Sequence, residues 1–338
     1  MRMTASFNAF MTNTVNINQT RIDNLDVSVP AIFDALQADS EIGSIVLDYD
    51  PQGSWPHGTI IKPADGVEFD ADFMLVMDEQ EAWAHSPKTY ITVVHAALAR
   101  NGTYKDLVKP PKCRCVRVVY AGDYHVDVVP FVVLSDGRQV IVNGDGDEWE
   151  DTDPAGFTAW MKEKNDTTGG HLKRVIRLLK YLRDHRDSFR RTRSVLLTAM
   201  LGERVDAASK IADPSYYEDL PTTFFHLITD LNEWLQANPT KPSIADPSGA
   251  TDPDGNPITF DHRWTEDTYQ AFRKKISSIA ADTKVAYEDD TSIEHSLELW
   301  QKVFGLDFKL PATSSGGGSS NAGTAGAGLA AVGAGRGG

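Results

Sequence analysis

The sequence predicts an α+β protein: a mixed sheet with helices over residues 1–150, a helical lobe over 151–310, and a disordered tail over 311–338. Three observations carry this reading. Up to about residue 145 the order runs helix, strand, strand, helix, then several strands. From Asp153-Pro154 onward the periodicity is helical. After Pro311 the chain is Ser, Gly and Ala, which bury too little apolar surface to offset the entropy of ordering.

The elements follow in order. Residues 1–17 carry little pattern. Residues 18–38 place Ile22, Leu25, Val29, Ile32, Phe33 and Leu36 at helical spacing, with Pro30 as a bend. A short strand at 44–48 runs into Gly53-Ser54-Trp55-Pro56-His57-Gly58-Thr59, a Gly- and Pro-rich loop. A turn at 62–67 precedes a strand, Phe69–Met77. Ser86 as cap and Pro87 in the first turn open a helix to Arg100, and Asn101-Gly102 closes it. Runs at 114–120 and 124–134 read as a hairpin, with a further strand at 138–142. Helical periodicity then covers 154–164, 170–187, 194–202, 220–237, 266–286 and 291–304. Residues 239–257, with five prolines, read as irregular surface.

Composition narrows the function. The 338 residues hold 33 Lys and Arg against 48 Asp and Glu, a net charge of -15. Binding an extended nucleic acid relies on Lys and Arg neutralising phosphates, so that class is disfavoured; small nucleotides are not. The two cysteines, Cys113 and Cys115, share one strand face with no metal-ligand set beside them, and read as reduced structural thiols. No apolar run reaches the roughly 20 residues of a membrane span, and the start lacks a secretory signal. The expectation is a cytoplasmic protein.

The strand Phe69–Met77 holds the candidate chemistry. Side chains alternate faces, so Asp70 and Asp72 point one way while Phe69, Ala71 and Phe73 point into the core. Two carboxylates on one face repel each other. That crowding is explained either by solvent or by a divalent cation. Asp127, a charge inside the Val-rich strand at 124–134, supplies a third carboxylate. Asp70, Asp72 and Asp127 together match the ligand set of two-metal nucleotidyl transfer. Gly53 and Ser54 offer backbone N–H groups and a hydroxyl to phosphate oxygens, with Thr59 as a further contact. In the helix at 170–187, Lys173, Arg177 and Lys180 share a face. They are either solvated or turned toward a triphosphate.

Gly53-Ser54, Phe69-Asp70-Ala71-Asp72, Val126-Asp127-Val128, Asp153-Pro154 with Phe157 and Trp160, Arg177-Leu178-Leu179-Lys180-Tyr181 and Leu299-Trp300-Gln301-Lys302-Val303-Phe304-Gly305 lead to a family. Over roughly 15–310 the chain resembles the bacterial CD-NTases, relatives of oligoadenylate synthetase and cyclic GMP-AMP synthase among polymerase-β-like nucleotidyltransferases. The resemblance implies a palm plus an oligoadenylate-synthetase-like helical lobe, with the active site between them. It implies that NTPs, ATP among them, are joined with Mg²⁺ (Mn²⁺ as the alternative) into a cyclic di- or trinucleotide messenger. That messenger would act on a separate effector in anti-phage (CBASS-type) defence. By matching position, Lys180 and Ser194 would contact triphosphate. Relatives often place an aromatic after that Ser; here it is Val195. Some relatives are attached to targets through their C-terminus. The terminal Gly337-Gly338 implies an E1/E2-like conjugation partner, with a plain low-complexity tail as the alternative. Two other functions stay open: modification of RNA or a protein, and a catalytically silent sensor or scaffold acting through the tail.

Overall fold

A computed structural model describes residues 1–311, except Asp65, Ala121, Asp187, Ser188 and Asp290. The Ser/Gly/Ala segment expected to be disordered, and Gly338 with its expected conjugation, lie outside the described residues. The helices are α1 (Thr4–Phe10), α2 (Gln19–Gln37), α3 (Lys88–Arg100), α4 (Pro154–Thr167), α5 (His171–His185), α6 (Ser194–Gly202), α7 (Ala207–Ala212), α8 (Leu220–Ala237), α9 (Glu266–Glu288) and α10 (Ile293–Phe304). The strands are β1 (Val46–Gln52), β2 (Phe69–Met77), β3 (Val116–Tyr120), β4 (Tyr124–Val133), β5 (Gln139–Asn143) and β6 (Glu148–Asp151).

The six strands form one mixed sheet in the order β1-β2-β4-β5-β6, with β3 also on β4. Only β2 and β4 run parallel. β4 gives one edge to β2 along its length. Its other edge is shared between β3 and β5. Burial in β2 alternates as expected: Phe69, Ala71, Phe73, Leu75 and Met77 are buried and the even-numbered residues are not. The buried face packs with Leu25, Val29, Ile32 and Leu36 of α2 and with Tyr90, Ile91, Val94 and Leu98 of α3. Both helices therefore cover one side of the sheet, and the carboxylate-bearing side is left to face the helical half.

A second core joins α4 to α6 and α8 to α10 around the buried stripe of α5: Leu172, Val175, Ile176, Leu179 and Leu182. The indole of Trp160 in α4 abuts Gly202 at the end of α6. A Cβ there would sit 2.3 Å from the indole ring, so only glycine fits.

Three expectations are corrected. Residues 1–17 are not featureless: α1 runs into a π-helical turn (Met11–Val15), and Phe7, Phe10, Met11 and Val15 enter the helical core. The Phe7 ring meets Trp300, Phe304 and Phe308 at 4.8, 5.4 and 5.1 Å between centroids. Second, Ser86 does not cap α3. The Lys88 N–H donates to Asp147 Oδ1 at 2.7 Å, so the cap arrives from a residue far along the chain. Third, β6 and α7 had no counterpart in the sequence reading; both are short, and β6 is largely polar.

Candidate active site

The uncovered face of β2 opens on a cleft of about 720 Å³. Its walls are the 53–61 loop, β2, Phe157 of α4, Lys180, Arg183 and Asp184 of α5, and residues 190–198. Seven expected site residues line it: Gly53, Ser54, Thr59, Asp70, Asp72, Lys180 and Ser194.

Register places the carboxylates. Asp72 lies opposite Asp127 across the parallel β2–β4 pair, and Asp70 lies opposite His125. Among the described residues no Lys or Arg forms an ion pair with Asp70 or Asp72. Burial, then the charges of Asp70 and Asp127, push the Asp72 carboxyl up to about 7. Gly53, at φ 69°, brings the loop against this carboxylate: a Cβ on it would sit 3.2 Å from Asp72 Oδ2.

Asp127 is buried beside Asp72 but does not line the cleft. Arg117, its antiparallel partner on β3, donates from Nε to Oδ1 at 2.6 Å and from Nη2 to Oδ2 at 2.5 Å. Among the described residues no three His, Cys, Asp or Glu side chains are gathered as one metal-ligating set. Asp70 and Asp72 fit a divalent cation. They share a face, neither has an ion-pair partner among the described residues, and burial with the neighbouring carboxylates disfavours the ionised form of Asp72 that a cation would stabilise. Cys115, next to Asp127, is pushed up to about 12 by burial and that carboxylate, so it stays a thiol.

The opposite wall is cationic. Lys180 is buried, and its Nζ donates to the Thr59 carbonyl at 3.0 Å. Burial and Arg183 lower its pKa to about 8, against the pull of Asp70, Asp184 and Asp72. Thr59 therefore fixes the lysine that spans the two halves. Arg183 donates to the Ser194 hydroxyl at 2.9 Å. Arg193 lines the cleft with its side chain exposed, its pKa lowered first by desolvation and then by Arg263 and Arg114.

His57 is buried in the loop, with Nε2 3.2 Å from Thr158 Oγ1 of α4 and its ring beside Phe157. Burial, Lys173 and Lys180 lower its pKa to about 4, so the imidazole is neutral near neutral pH.

Two expected cations stand apart from the lining. Lys173 does not line the cleft, and its charge helps lower the pKa of His57, which does. Arg177 is packed beneath the N-terminal segment, where Nη1 donates to Asn16 Oδ1 at 2.7 Å. Arg183 was missed. Its signal was its place one turn beyond Lys180 on the same helix.

Residues 1–165 match the Second Messenger Oligonucleotide or Dinucleotide Synthetase domain. The fold resembles that of the *Escherichia coli* MS115-1 CdnC solved with ATP, with a TM-score of 0.68 at 18% identity, covering 90% of this chain and 98% of that one. It also resembles the *Vibrio cholerae* DncV apo form, with a TM-score of 0.67 at 17% identity, covering 91% and 95%. Residues 1–165 thus resemble a second-messenger nucleotide synthetase domain, and the chain as a whole shares the fold of CdnC and DncV. A c-di-GMP synthase from Roseivirga ehrenbergii is 32% identical to this chain over 157 residues, 45% of the chain and 41% of the relative. The aligned region thus spans less than half of that relative's length. Among the described residues no helix is long and apolar enough to cross a membrane.

Proposed function

We propose that this protein is a CD-NTase that joins nucleoside triphosphates into a cyclic di- or trinucleotide messenger at the β2 cleft. The observation that carries the reading is the pairing of an Asp70/Asp72 face, without ion-pair partners among the described residues, with a cationic wall across one cleft. In each transfer, a ribose hydroxyl oxygen bonds to an α-phosphorus. The bond from that phosphorus to the bridging oxygen breaks, pyrophosphate leaves, and the hydroxyl proton passes to the carboxylate face. A divalent cation, Mg²⁺ or Mn²⁺, held by Asp70, Asp72 and Asp127 would activate the hydroxyl and neutralise the triphosphate.

The chain's own groups do the positioning. Ser54 and the backbone beside Gly53 hold phosphate oxygens close to Asp72. Lys180, with Arg183 and Arg193, meets the remaining phosphate charge, and Ser194 is oriented by Arg183. His57, neutral, ties the loop to α4 at Thr158 and keeps the two walls in register. Relatives solved with ATP or GTP, and the c-di-GMP synthase, support purine triphosphates as substrates. The messenger would act through a separate effector in anti-phage defence. CdnC in complex with HORMA supports regulation by a protein partner.

The test is incubation of the full chain with the four labelled NTPs and Mg²⁺ or Mn²⁺. The expected result is a small product that survives phosphatase and nuclease. Transfer of label only to RNA or protein would reassign the enzyme to macromolecular modification.

A further inference from the structure

We propose that Arg117 is a positioning residue that holds Asp127 out of the cleft and competes with the divalent cation for it. The inference rests on the cation site of the proposed function and goes beyond it. Three observations point to it. Arg117 engages both Asp127 oxygens at once, at 2.6 and 2.5 Å, which leaves the carboxylate turned toward β3. Asp127 does not line the cleft, although its strand partner Asp72 does. Asp70 and Asp72, the other two carboxylates, have no such partner among the described residues.

The competition follows from the chemistry. A carboxylate ligates a cation through an oxygen lone pair, and a forked guanidinium occupies the same lone pairs with matching geometry. Asp127 is nearly buried, with 10% of its side chain accessible, whereas Arg117 keeps 23%. The arginine is thus the partner with room to withdraw. With Arg117 in place the site has two free carboxylates. With Arg117 withdrawn it has three, and the third sits directly across the strand pair from Asp72. Arg117 thereby ties completion of the cation site to events on β3, one strand away from the bound nucleotide.

Mn²⁺ binding is measured on the full chain by electron paramagnetic resonance of the free ion, without nucleotide. Arg117→Gln is expected to bind Mn²⁺ on the order of tenfold tighter than the parent chain. In an Asp127→Asn background the same change is expected to gain under about threefold, because only the general loss of a positive charge remains. An unchanged affinity in Arg117→Gln, or an equal gain in both backgrounds, would overturn the proposal. If circular dichroism shows that Arg117→Gln does not fold, Arg117→Lys carries the test. It keeps the charge and loses the fork, so it is expected to tighten Mn²⁺ about threefold, and no gain there overturns the proposal. The Asp70→Asn/Asp72→Asn variant reads the underlying site separately. Parental Mn²⁺ affinity in that variant would remove the cation site itself, whatever Arg117 does.

Discussion

Asp72→Asn is expected to stabilise the metal-free protein. Burial and the charges of Asp70 and Asp127 raise the Asp72 carboxyl from 3.8 to about 7. The sign follows from proton binding. Between about pH 4 and pH 7 the folded state holds more protons at this site than the unfolded chain, so stability falls as pH rises through that window. Three pH units at about 1.4 kcal/mol each give about 4 kcal/mol as an upper bound. Screening at the open cleft reduces this to about 2 kcal/mol. An asparagine of the same shape carries no such penalty. Its gain should be small near pH 4, grow across the window, and be full above pH 7. For a chain of this length that is about 3 °C in melting temperature. The assay is thermal unfolding by circular dichroism in a chelator at pH 5 and pH 8. Added Mg²⁺ should then stabilise the parent chain more than the variant. Equal stability of the two at pH 8, or the same gain at both pH values, would refute the electrostatic reasoning.

Other perturbations follow from particular contacts. Gly53→Ala puts a side chain at positive φ and a methyl against Asp72, so it should cost about 1 kcal/mol of stability and most of the product formation, read by unfolding and by mass spectrometry. Phe7→Ala empties a fully buried position among Trp300, Phe304 and Phe308. It should cost about 3–5 kcal/mol by denaturant unfolding, whereas a loosely attached N-terminus would show almost no change. His57→Ala releases the loop from Thr158 and should raise KM for NTP more than it lowers kcat, and His57→Gln, which keeps a hydrogen-bonding group, should recover part of the loss.

Much of the site was legible because strand alternation is a strict rule. Asp70 and Asp72 had to share a face once Phe69, Ala71 and Phe73 were placed in the core, and the structure shows that alternation. Asp127 was legible as a charge inside a Val-rich strand. Its side-chain direction was not, because that depends on Arg117 across β3, a cross-strand pairing that local pattern does not encode. The N-terminal helix carried a readable signal in Phe7, Phe10, Met11 and Val15, at helical spacing. It was hidden by polar neighbours and by the distance in sequence to its partners on α10. Arg177 lies apart from the cleft for a related reason. Helical phase put it on the face of Lys173 and Lys180, but the N-terminal segment folds over that part of α5 and takes the arginine for Asn16.

Synthesis of a cyclic nucleotide by the β2 carboxylates is tested by mass spectrometry of products made from the four NTPs by the parent chain and by Asp70→Asn/Asp72→Asn, with folding of both checked by circular dichroism. A cyclic product from the parent and none from the folded double variant is the predicted result. The same product from both would place the chemistry elsewhere than on Asp70 and Asp72.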